Sequence, residues 1–440
     1  MHRRQFLTSG ASVAAFVADA SSAYQEEDAP RVLDQRGASA QGGSARRILI
    51  ARDELLGHAL RACDWLADVS QIKDKSNPYY GAMKGEYDTK TRKWRLYGPF
   101  WHTGQAVRAL LLAYELKRDT KYLDHAVLGG EYMIRNQAID KSDEKYYGFI
   151  DGKQAEGTNT ASQLEGFCAL LDLYRVTGDT RWRERFKLAL DWVVKNLYLR
   201  PEGLFLNMFY ARKYEFDTRA RARPLNDDAT FYHAYQEFKD PSYLQIFREI
   251  SDRLLRDENP PGNFMKYAPC KPSAFGGEGH IHPRHAWWWG YPMLTAYDAF
   301  KEEKYLKAGI RACDWYVENV SLDGACYYHN SLKGRHLSFD FCTSAVGCAV
   351  IMWVDLWKRT HQEKYRQAIE ASLGFLLKAQ FRQDVPDPNI RGASFEGLFL
   401  PDGTMNQGYY FRDIATIFSA RAMLEILKAF EGQQLYYVEY

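Results

Sequence analysis

The chain has 440 residues and is 46% hydrophobic, 26% charged and 15% aromatic, with a formal net charge of +2. This is the composition of a packed globular protein rather than a disordered or fibrous one, and a near-neutral chain without a Lys/Arg block among aromatics lacks the electrostatic footprint of a nucleic-acid binder. No apolar run reaches the roughly 18 residues that cross a bilayer, so no membrane span is expected.

Residues 1–23, MHRRQFLTSGASVAAFVADASSA, set Arg3 and Arg4 before Phe6-Leu7, a weakly apolar stretch and an Ala-rich end. This is the pattern of a twin-arginine export signal, an address rather than a structural element, and it predicts a periplasmic or extracellular location. Residues 24–44 are rich in Ala, Ser, Gly and charge without a period and read as a disordered linker, leaving 45–440 as one catalytic domain. The seven cysteines contain no C-x-x-C pair, which argues against a zinc knuckle. Cys63 and Cys313, each within RACDW, read as small buried hydrophobes.

From residue 46 onward the chain repeats. An aromatic is followed eight residues later by a second at Tyr114/Tyr122, Tyr174/Trp182, Tyr235/Tyr243, Tyr297/Tyr305 and Trp357/Tyr365, so the first members are 60, 61, 62 and 60 residues apart. A polar turn lies between the two, a small-rich apolar helical pattern before it and an amphipathic one after it, so each unit is a helical hairpin. A first outer helix at Arg46–Val69 and a last inner helix at Gln407–Ala429 complete six hairpins. The predicted fold is all-α, an (α/α)6 toroid. Twelve positions before the first aromatics stand His102, Ser162, Arg223, His285 and Ala345. His102 and His285 are thereby equivalent, and the ring should make them face each other.

Long polar and aromatic loops precede the inner helices and crowd one end of the ring, where they should form a cleft. Aromatic faces stack on sugar rings. The third loop carries Arg212, Lys213, Arg219, Arg221 and Arg223, whose forked guanidinium groups suit carboxylates. The fourth, GEGHIHPRHAWWWGYP at 277–292, sets His280-x-His282-x-x-His285 in a spacing that fits neither a helical zinc pair nor a thiolate site, so no metal and no cofactor is expected. Pro283 suits a helix start, Gly290-Tyr291-Pro292 should interrupt the helix, and Trp287 to Trp289 cannot all face one way.

With these features the chain resembles the secreted α/α-toroid carbohydrate enzymes. It looks most like the alginate and glucuronan lyases, through the His/Arg/Tyr-rich fourth junction, the GTNTASQ loop with Asn159 and the basic third loop. GHIHPRHAWWW is similar to the histidine-tryptophan helix of N-acylglucosamine 2-epimerase-like enzymes, although the Glu that follows there is absent. Unsaturated-uronyl hydrolases are a third cousin, expected to carry catalytic Asp on inner-helix loops, where Asp227, Asp228, Asp340 and Asp413 are available.

The first resemblance implies β-elimination on an anionic uronic-acid polysaccharide or oligosaccharide. Removing the proton next to a charged carboxylate requires that carboxylate to be neutralised, while a base and an acid move protons. Asn159, His102 and Arg284 are the candidate neutralisers. Tyr291 and His285 are the candidate base and acid, with His280 and His282 in reserve. Gln163, Arg223 and Arg335 are candidates for substrate contact, with Trp101 and Trp287 as sugar walls. A glycoside hydrolase would instead need two flanking carboxyl groups, from Glu165, Asp228, Asp340 or Asp413. A sugar epimerase and a non-catalytic carbohydrate-binding protein also remain open.

Overall fold

The computed structural model describes residues 45–155, 157–273, 277, 279–319, 324–328, 330–331, 341–397 and 411–439. The proposed export signal and linker, Arg335 and Asp340 lie outside these. Among the described residues, twelve helices of nine residues or more follow one another: α1 (Arg52–Trp65), α2 (Pro99–Lys117), α3 (Thr120–Arg135), α4 (Ala169–Thr177), α5 (Thr180–Asn196), α6 (Thr230–Phe238), α7 (Pro241–Asp257), α8 (Pro292–Phe300), α9 (Glu303–Asn319), α10 (Thr343–Thr360), α11 (Glu363–Ala379) and α12 (Asp413–Ala429). The even-numbered helices form the inner ring and the odd-numbered ones the outer. The last inner helix, α12, packs on the first, α2, and α1 covers α12, so the toroid closes. On α12 every residue from Asp413 to Leu424 is buried, as expected for a helix with neighbours on all sides.

The repeat is a capping and docking device. Inner helices end on Arg118, Gly178, Lys239, Lys301 and His361, all in the left-handed region with φ between 53° and 72°. The N–H of each returns 2.8 Å to the carbonyl of the first repeat aromatic, Tyr114, Tyr174, Tyr235, Tyr297 or Trp357. The Asp that follows, at 119, 179 and 240, caps the next outer helix by accepting the N–H two residues on. The second aromatic is buried in every unit. Where it is a tyrosine, its hydroxyl donates to an aspartate of the preceding outer helix: Tyr122 to Asp64, Tyr243 to Asp191, Tyr305 to Asp252 and Tyr365 to Asp314. Asp64 and Asp314 are the aspartates of the two RACDW segments.

Three sequence expectations change. The first predicted helix starts with a strand, Arg46–Ile50, paired antiparallel with Leu435–Glu439 and held by Arg47 on Glu370 at 2.7 Å, and helix follows only from Arg52. Inner helix α12 is described from Asp413, while 407–410 lie outside the described residues. Two inner helices are shortened by backbone that no helix accepts: Gly166 (φ 80°) before α4, and Asp228 and Ala229 (φ 52° and 51°) before α6. Before α8 a wide turn at Ala286–Gly290 is closed by Tyr291 N–H on the Ala286 carbonyl at 2.7 Å, and Pro292 then opens α8. Short strands from the long loops cap the inner-helix starts: Gly85–Asp88 pairs with Lys93–Leu96 and Phe411–Arg412, and Met208–Tyr210 with Thr158–Asn159 and Glu215–Phe216.

Gly104 on α2 marks the closest inner-ring approach. A Cβ there would stand 2.5 Å from the Gly166 carbonyl oxygen. Gly104→Ala should therefore destabilise the fold by about 1–3 kcal/mol, since overpacking against backbone exceeds the gain of roughly 1 kcal/mol that Ala has over Gly in a helix. Gly57→Ala on α1 would meet only the Arg61 side chain at 3.4 Å. It should gain up to about 1 kcal/mol, and urea unfolding of both variants checks the opposite signs. Asp179→Ala should cost about 1 kcal/mol in the same assay.

Candidate functional site

At the inner-helix starts, the turn that leads into α6 carries two adjacent carboxylates, Asp227 and Asp228, and the turn before α4 carries Glu165. Glu165 and Asp227 are buried, the Asp228 side chain is 4% exposed, and their environments differ. Asp228 accepts hydrogen bonds from Gln105 Nε2 at 3.1 Å and Gly166 N–H at 3.0 Å and pairs with Arg108 Nη1 at 2.7 Å. Burial pushes its carboxyl up, but Arg108 and Arg421 outweigh that and hold it below the usual range. Asp227 has no such support. Burial, then the neighbouring Glu165 charge, raise it well above the usual range against a partial pull from Arg223. Glu165 is raised to about 7, chiefly by burial and further by Asp228, although Arg284 opposes the shift. One oxygen of Glu165 accepts from Trp288 Nε1 at 3.2 Å. Its Oε1, and Oδ2 of Asp227, have no partner among the described residues.

Around the carboxyl groups stand two arginines and two tryptophans. The guanidinium of Arg284 lies 5.7 Å from the Trp101 ring centre and 5.6 Å from that of Trp288. Its Nη1 donates to Ser344 Oγ at 3.0 Å, and its Nε is unpartnered within the protein. Ser344 in turn is held by Glu396, which accepts the Ser344 N–H at 2.9 Å and the Tyr328 hydroxyl. Arg223 donates to Asn159 Oδ1 at 3.3 Å and to the Ala268 carbonyl at 3.1 Å. Gln163 Nε2 and both side-chain polar atoms of Asn226 are buried without partners within the protein. These buried donors and acceptors call for partners that the described residues do not supply.

His102 is fully buried on α2. Its Nδ1 bonds Asp413 Oδ1, whose other oxygen accepts Ser70 Oγ at 2.8 Å and Gly85 N–H at 3.0 Å. The tautomer with Nδ1–H leaves Nε2 without a partner within the protein. Trp101 and Tyr97 flank the imidazole edge-on at 3.9 and 5.7 Å.

His102 and His285 do not meet across the ring. His285 turns outward, its Nδ1 on the His282 carbonyl at 2.8 Å and its Nε2 on the Gly262 carbonyl at 3.4 Å, packed against Trp315 and Tyr316. Burial lowers it to about 4. The contact between first and fourth hairpins is made one residue earlier, by Trp101 and Arg284. Tyr291 stacks on Trp287 at 5.2 Å, with its hydroxyl raised by burial and by Asp355 and Glu425, which sit toward the far ends of α10 and α12. Trp287 is itself core, 2% exposed and against Phe418. His280 Nε2 meets the Tyr328 carbonyl at 3.1 Å, and the His282 ring stacks 5.0 Å from Trp288. The three histidines of the fourth loop thus serve three places. Asn159, Gln163, Arg223, Arg284 and Trp101 stand with the carboxyl cluster. Glu396 and Tyr328 had no signal in the sequence, because only the fold brings them to Ser344.

No family model matches the chain, and no curated protein matches it in sequence. Solved structures do. An unsaturated glucuronyl hydrolase specific for heparin is similar with a TM-score of 0.62 at 13% identity, over 86% of this chain and 98% of that one. A cellobiose 2-epimerase from Spirochaeta thermophila gives 0.60 at 12% identity, over 86% and 98%. A D-mannose isomerase gives 0.62 at 14%, again over 86% and 98%. At such identity the likeness shows the fold, and the chain is an α/α toroid.

Proposed function

We propose that the chain is a carbohydrate-processing enzyme of the hydrolase kind, cleaving a uronic-acid-containing oligosaccharide with Glu165 and Asp227 as its proton-transfer pair. The observation that carries this reading is the buried, mutually opposed pair beside Arg284, itself set between Trp101 and Trp288. In two buried carboxyls that each oppose the other's ionisation, one can hold a proton while the other is charged, the acid and base that cleavage of a glycosidic bond requires. Asp228, kept ionised by Arg108, raises Glu165 and Asp227 in turn. Arg284 and Arg223 suit the carboxylate of the sugar, and the tryptophans its ring faces. The solved toroids include a glucuronyl hydrolase, and the twin-arginine start fits export toward extracellular glycans.

The elimination reading has less support, because the His285 ring is turned onto the His282 and Gly262 carbonyls and against Trp315, and the Tyr291 hydroxyl is influenced by Asp355 and Glu425 rather than by the carboxyl cluster. Epimerisation is a second reading favoured by one observation, His102 on Asp413 with Nε2 unmatched, which suits removal of a proton from carbon next to a carbonyl.

Incubation with unsaturated uronyl oligosaccharides, glucuronan and alginate separates these. Hydrolysis releases reducing ends with loss of, or no gain in, the ultraviolet absorbance of the C4–C5 double bond. A rise in that absorbance would establish elimination instead, and an isomer of a free sugar epimerisation. Glu165→Gln and Asp227→Asn should each lower kcat roughly 10²–10⁴-fold, and Tyr291→Phe should stay within a few fold of wild type.

Stability carries a second signature. Glu165 binds its proton more tightly folded than unfolded, so its contribution to stability is present below its ordinary value of 4.5 and is lost as the pH rises through about 7. Glu165→Gln should flatten the fall in stability between these pH values in denaturant titrations. An unchanged slope would mean the carboxyl is not held protonated.

A further inference from the structure

The end of the ring opposite the carboxyl cluster holds a cavity of about 470 Å³ among the C-terminal halves of α2, α4 and α12. Four arginines line it: Arg108, Arg118, Arg175 and Arg421. Part of this charge is already matched by the acidic lining, Asp172, Glu115 and Glu425. Asp172 pairs with Arg108 at 3.1 Å and Arg175 at 3.0 Å, and Glu115 with Lys428 at 2.9 Å. Glu425 also lines the cavity, and its charge acts on Arg421. Arg118 lies over the Tyr114 ring at 5.6 Å and makes no ion pair among the described residues. Arg421 is 4% exposed; its Nη1 donates to Gln105 and its Nε has no partner within the protein.

Arginines near helix C-termini commonly serve the carbonyls of the last turn. Arg108 and Arg421 do not, because they stand mid-helix on α2 and α12. Together with Gln105 and Asp228 they form a septum across the barrel: Arg421 to Gln105, Gln105 to Asp228, Asp228 to Arg108. The cavity lies on the C-terminal side of these links, is lined in part by Arg108 and Arg421 and not by Glu165, Asp227 or Asp228, and is of a size that holds a small metabolite.

We propose that this lower cavity is a second ligand site, taking the oxyanion group of a small molecule, a carboxylate or a phosphate, between Arg118 and Arg421. Arg421 lines the cavity with a largely desolvated guanidinium, and an oxyanion that reaches it gains a charge-assisted hydrogen bond. Arg118, at the rim, adds a second.

Calorimetric titration of the full-length protein with inorganic phosphate and with citrate, against chloride at matched ionic strength, tests this. Saturable binding is expected, with Kd raised at least tenfold in Arg421→Gln. Arg118→Gly, which suits the left-handed backbone at φ 58°, should weaken binding without loss of fold. Glu425→Gln should tighten binding. Asp227→Asn, above the septum, should leave it unchanged, which keeps this site distinguishable from the proposed hydrolase centre. No saturation beyond chloride, or equal affinity in folded Arg118→Gly and Arg421→Gln, overturns the proposal. So does a loss of binding in Asp227→Asn.

Discussion

The ion pair between Arg108 on α2 and Asp228 before α6 is the constraint from which the rest of the site follows. A carboxylate at the axis of a closed helical ring is tolerated only if paired and hydrogen-bonded. Arg108, Gln105 and the Gly166 N–H meet that need together, from two different hairpins. Burial is the main reason that Asp227 and Glu165 hold protons that surface carboxyls would release, and the fixed anion at Asp228 adds to it in a medium that screens poorly. The left-handed backbone at Asp228 and Ala229 belongs to the same arrangement. Strain of this kind persists where surrounding contacts over-determine it, and it clusters at functional places.

The toroid supplies this arrangement through a division of labour between its two rings. Outer helices carry the repeat's structural chemistry: an aspartate cap, a buried aromatic, and a tyrosine hydroxyl reaching the aspartate of the preceding outer helix. These links register each hairpin on the one before it. The inner helices are then free to present polar residues at their starts, where long loops and short strands close over them. Because all the inner starts share one end, residues as far apart in the chain as Trp101, Glu165, Asp227 and Arg284 become neighbours.

The internal alignment put the first and fourth hairpins opposite each other, and the contact of Trp101 with Arg284 has that geometry. It named the wrong residue of each pair. One step along a helix turns a side chain by about 100°, so His102 faces Asp413 on the neighbouring inner helix while His285 faces the outer ring. Gly166 and the wide turn at Ala286–Gly290 further break the uniform phase that a repeat assumes. The histidine-rich loop drew notice by composition. The adjacent aspartates of PLNDDAT, available in the sequence as candidates only through the uronyl-hydrolase resemblance, occupy the buried centre.

The hairpins, their number and their closure into an (α/α)6 toroid were legible in the sequence alone, because helical periodicity and a spacing of about sixty residues are local signals that repeat and so reinforce one another. The crowding of aromatic and basic loops at one end followed from the same periodicity. Which carboxyl is ionised and which keeps its proton was decided only by the tertiary structure. That depends on the partners Arg108, Arg284 and Arg223 bring from distant hairpins and on the exclusion of water. Burial and electrostatic pairing are sums over neighbours in space, and no window of sequence contains them.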